Sequence, residues 1–109
     1  MNISIDKKHG LLSMHKGFSS KEKFASNIVV GDVVLDISSA GRVRGVEILD
    51  LKRFLEDFTL NAQEILDNLT SASFDVAERS ESVLITITFT TEQESFPARL
   101  AVSLNPVAA

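Results

Sequence analysis

The chain has 109 residues, a formal net charge of −4 and no cysteine. One domain is expected at that length, and the absence of thiols excludes disulfides, zinc ribbons, iron–sulfur clusters and cysteine nucleophiles. A content of 44% hydrophobic and 24% charged residues excludes disorder.

No apolar run approaches the ~20 residues of a membrane span. The opening Met1-Asn2-Ile3-Ser4-Ile5-Asp6 has no h-region of a signal peptide. A cytoplasmic protein with no membrane contact is the expectation. Residues 1–25 carry five lysines against Asp6 and Glu22, whereas residues 26–109 hold six basic and thirteen acidic side chains. A basic segment can touch phosphates. No arginine accompanies these lysines, however, and only Phe18 and Phe24 are there to stack on bases, so nucleic acid is not an expected partner.

Taken in order, Ile3 and Ile5 alternate with polar neighbours as in a strand, and Asp6-Lys7-Lys8-His9-Gly10 is a turn. Leu11 to Met14 is the returning strand, and residues 16–23 form a polar loop. Asn27 to Ile37 is strongly β-forming, with Gly31-Asp32 inside it as a tight turn or a bulge. Ser38-Ser39-Ala40-Gly41 is a hairpin loop with glycine at its end, and Arg42 to Leu49 answers it. Val43, Val46 and Ile48 share a face only if one extra residue is accommodated between them, which predicts a bulge at Arg44-Gly45.

From residue 50 the period changes. Leu51, Phe54, Leu55 and Phe58 follow helical spacing behind the N-cap candidate Asp50. Ala62, Ile65, Leu66 and Leu69 repeat that spacing behind Asn61-x-x-Glu64, a capping-box pattern. One continuous helix is possible, but Thr59 and Asn61 favour two. Residues 72–104 return to period two, with turns at Ser80–Ser82 and Glu92–Glu94. Ser82–Thr91 carries no charge over ten residues, so it must be central, covered or paired with another chain, a central position being favoured. Pro97 belongs at an edge or a strand start, and residues 105–109 are expected to fray. The fold class is therefore α+β: an antiparallel β-meander, two short helices covering one face of the sheet, and a C-terminal antiparallel three-strand unit.

The candidate site residues are few. Asp36 and Glu47 lie on the long hairpin near Arg42 and Arg44; paired carboxylates act as acid and base when their environments separate them, but cross-strand ion pairs are favoured. Glu47, inside a β run, is expected to pair with Arg42 or Arg44. His9, His15 and Asp6 could hold a metal, although such sites usually show more ligands. No cofactor is expected, and no nucleophile elbow, P-loop, dinucleotide fingerprint or metalloprotease motif is present. Gly41, Gly45 and Asp50 are expected to be structural. The leading functional expectation is a non-enzymatic protein-interaction module forming homo-oligomers, a dimer by default. The alternative is a small-ligand or metal-binding protein, with or without enzymatic activity, using Glu47, Asp36 and the arginines.

The run from Gly31 to Asp50, and within it Gly41, Val43, Gly45, Val46, Glu47, Ile48 and Leu49, resembles a family of short bacterial and archaeal proteins known as domain of unknown function number twenty-two eighty-three. Asp6 and Leu11-Leu12 are similar in placement to that family's opening motif, with His9-Gly10 where a second acidic residue is usual. The resemblance covers residues 1–58, the hairpins plus one helix; residues 59–105, a helix and strands, look like the extension of longer members. It implies a small β-sheet with a helix, no established activity and, for some members, a partnership with small toxin-like proteins.

Overall fold

A computed structural model describes residues 1–104; the fraying expected at residues 105–109 lies outside the described residues. The element order is β1 (Asn2–Asp6), β2 (Leu11–His15), β3 (Phe24–Val30), β4 (Val33–Ser38), β5 (Val43–Ile48), α1 (Leu51–Glu56), α2 (Ala62–Asn68), β6 (Leu69–Glu78), β7 (Ser82–Thr91) and β8 (Ser95–Ser103). The α+β class holds, with all strand pairs antiparallel in two sheets ordered β1-β2-β5-β4-β3 and β6-β7-β8.

The β-rich stretch 27–37 divides at Gly31-Asp32, where the open alternative of a tight turn is the one realised. Val30 pairs with Val33, and Gly31 has φ +56° while Asp32 stays out of the positive-φ region, the requirement of a type II′ hairpin turn. The Arg44-Gly45 bulge forms as expected: Asp36 pairs with Gly45 and Ile37 with Val43, leaving Arg44 as the extra residue. Gly41 closes the β4–β5 loop at φ +77°, a conformation that other residues rarely adopt.

The first sheet is not a simple meander. β2 pairs with β5 rather than with β3, and β3 lies on the far edge beside β4. The reason is the loop of residues 16–23, which crosses the end of the β4–β5 hairpin. Lys16 N–H donates to Arg44 O (2.8 Å) at its start, and Ser39 N–H donates to Lys23 O (2.7 Å) at its finish.

The two helices are separate. Asp50 caps α1 by accepting from Arg53 N–H at 3.2 Å. Asn61 makes no side-chain cap bond, so the expected capping box does not form; Thr59 Oγ1 instead accepts from Asn61 N–H at 3.1 Å. The helices also do not cover the first sheet by themselves. They gather at the end marked by the β1–β2 and β3–β4 turns, where Leu51 N–H donates to Gly10 O and Leu49 N–H to Asp32 O, both at 2.8 Å. The second sheet supplies most of the opposing apolar surface. Leu12, Leu35, Val46 and Ile48 of one sheet and Phe74, Ile85, Ile87 and Phe89 of the other are buried in a single core. Phe54 of α1 joins them, its ring 6.0 Å from that of Phe89. β7 is central, with Val83, Ile85, Ile87 and Phe89 inward and its threonines outward. β8 is an edge strand, as Pro97 requires.

Candidate functional site

The candidate residues of the long hairpin separate into two groups by what they contact. Arg42 and Arg44 are taken up by the crossover. Glu22, in the middle of that loop, is nearly sealed from solvent, its side chain only 2% exposed. Arg42 donates to both of its carboxylate oxygens, from Nε to Oε2 at 3.1 Å and from Nη2 to Oε1. Ser19 N–H donates to Oε1 at 3.0 Å, and Arg44 Nε lies 3.9 Å from the same oxygen. These donors, the Arg42 guanidinium first, then Ser19 N–H and the Ser38 hydroxyl, hold the Glu22 carboxyl well below the usual carboxylate range. In return Glu22 raises the Arg42 guanidinium further above its ordinary value.

Arg44 is spent on backbone. Its Nε donates to Gly17 O at 2.7 Å and its Nη2 to Lys16 O at 3.1 Å. Guanidinium groups do not release protons in proteins, so the cluster is a latch that fixes the crossover and not an acid–base centre. Beside it, Lys16, Arg42, Arg44, Val43, Val76 and Glu78 line a cleft of about 180 Å³, with Lys16 Nζ 4.6 Å above the Phe74 ring in a cation–π contact.

Asp36 and Glu47 belong to the outer face of the first sheet. Glu47 is exposed between Ser13 and Val34, and no ion pair joins it to Arg42 or Arg44 among the described residues. The expected Glu47–arginine pair is thus replaced by Glu22–Arg42, because both guanidinium groups turn toward the crossover. Asp36 faces His15 across Gly45, with Nε2 and Oδ2 3.8 Å apart. His15 Nδ1 accepts from Gly17 N–H at 2.7 Å, which places the ring proton of the neutral form on Nε2, toward Asp36. Phe18 packs edge-on against the imidazole at 5.0 Å.

The structure does not bring the two histidines together. His9 sits in the β1–β2 turn and His15 ends β2. His9 Nδ1 is 2.8 Å from Asp6 Oδ2, and its N–H donates to Asp6 Oδ1 at 3.1 Å, which lowers the Asp6 carboxyl below its ordinary value. No group of three potential metal ligands occurs among the described residues. Gly41 and Asp50 serve the hairpin loop and the α1 cap, as above.

Sequence reasoning missed Glu22. Its signal was a single acid in a lysine-bearing polar loop, with two arginines elsewhere in need of partners. It also missed the open side of the molecule. β3 lines an apolar groove of about 480 Å³ with β8, formed in part by Ile28, Val30, Val102 and Leu104. Val29, on the other face of β3, is 66% exposed. No helix among the described residues is long and apolar enough to cross a membrane. No family model, curated protein or solved structure matches the chain.

Proposed function

We propose that this chain is a non-enzymatic protein-interaction module that forms homo-oligomers and works in the cytoplasm. The observation that carries the interaction-module reading is β3. It is a sheet edge of seven residues, Phe24-Ala25-Ser26-Asn27-Ile28-Val29-Val30, without a charge or a proline, beside an apolar groove. Proteins usually blunt such edges with lysine, proline or a cover, and an extended segment of a partner adds to an open edge through main-chain hydrogen bonds. The small-ligand alternative needs an enclosed site at Glu47, whereas Glu47 lies exposed on a sheet face. The resemblance of the β4–β5 hairpin to a family of unknown function adds no activity to this reading.

Selection of extended peptides from a random display library against the full chain tests the edge. The expected binders alternate apolar residues and lose binding when Val29→Lys places a charge on β3. Binders indifferent to Val29→Lys, or no binders at all, would overturn β3 as the recognition element.

A further inference from the structure

The outer face of the three-stranded sheet carries one acid and one base, placed symmetrically. The register aligns Asp75 of β6, Thr86 of β7 and Arg99 of β8 on one rung. The neighbouring rungs present only alanine, leucine, serine, threonine and proline. Asp75 and Arg99 are both exposed and stand two strand spacings apart, about 10 Å. No ion pair joins them to each other among the described residues.

We propose that this face packs against the same face of a second copy of the chain, about a two-fold axis running along β7. The proposal rests on the homo-oligomer reading and places self-association on this face, leaving the β3 edge to an extended partner. Rotation about that axis exchanges the flanks of the sheet. It lays β6 over the partner's β8 and sets Asp75 against the partner's Arg99, twice over. A two-fold axis running across the strands at that rung would instead set Asp75 on the partner's Asp75, and only the axis along β7 pairs both charges with their opposites. The small side chains of the face suit the close, aligned approach of two sheets. Strands of 10, 10 and 9 residues give a face of about 30 by 14 Å, roughly 400 Å² per copy. That is half the roughly 800 Å² that each partner contributes to a standard interface, so the dimer is weak and its population follows concentration.

Sedimentation equilibrium of the full chain tests this with wild type, Asp75→Arg, Arg99→Asp and an equimolar mixture of those two variants. Each charge variant alone meets its copy with like charges, and its dissociation constant is expected to rise by more than about tenfold. The mixture pairs arginine with aspartate at both contacts and is expected to associate as wild type does, which also shows that both variants fold. A wild type that stays monomeric would overturn the homo-oligomer reading itself. A wild type that associates while the charge variants do so equally well, or while their mixture stays dissociated, would overturn this face and leave the reading standing with another surface.

Discussion

His15 and Asp36 approach each other over an intervening strand, with Nε2 and Oδ2 3.8 Å apart above Gly45. A side chain on β5 at that point would stand between them. A Cβ on Gly45 would lie 2.6 Å from both Asp36 Oδ2 and His15 Cδ2, and 3.1 Å from Asp36 Cβ. The glycine is required by this close approach, since its φ is not among the positive values.

Gly45→Val is therefore expected to destabilise the fold by about 1–3 kcal/mol, the usual cost of overpacking. Urea denaturation measures it. An unchanged midpoint would mean that His15 and Asp36 move aside freely.

Glu22 gives the fold an acid-sensitive latch. Its carboxyl is held well below its ordinary value of 4.5. As pH falls through that value the unfolded chain takes up a proton that the folded chain refuses. The stabilisation is thus complete above pH 4.5 and drains away as acidification proceeds toward the depressed folded value. Thermal unfolding midpoints between about pH 5 and pH 3 are expected to fall less steeply in Glu22→Gln than in wild type, starting from a lower midpoint at neutral pH. An identical acid slope would contradict the latch.

The two faces of β7 differ sharply in what they bear. Ile87 is fully buried, and Ile87→Ala is expected to cost about 2–5 kcal/mol. Its neighbour Thr88 points outward, and Thr88→Ala is expected to change stability by less than about 0.5 kcal/mol in dilute solution. Equal effects at the two positions, measured by denaturant titration, would contradict the alternation.

Glu47 stands exposed between Ser13 and Val34. Glu47→Gln is expected to shift stability by less than about 0.5 kcal/mol. A loss comparable with that of Glu22→Gln at neutral pH would mean that Glu47 has a partner of its own.

What was legible in the sequence was local. Period-two alternation placed Val83, Ile85, Ile87 and Phe89 on the inner face of β7. The parity break at Arg44-Gly45 located the bulge, and the cap residues separated α1 from α2. What was not legible depended on contacts distant along the chain. Nothing near Glu22 indicates that Arg42, 20 residues away, will bind it, so neither the latch nor the path of the crossover was visible. Strand order followed the same limit. Alternation reveals which face of β2 is apolar, but not that its neighbour is β5. Glu47 was misassigned because proximity in sequence to Arg42 and Arg44 says nothing about which way a bulge turns those side chains.

The homo-oligomer proposal stands on self-association of this chain through its β-rich surface. The weight-average mass of the wild type, measured by light scattering from micromolar to near-millimolar concentration, decides it. The mass is expected to climb from the monomer value of 11.9 kDa toward twice that value as concentration rises. A mass fixed at the monomer value throughout would contradict it.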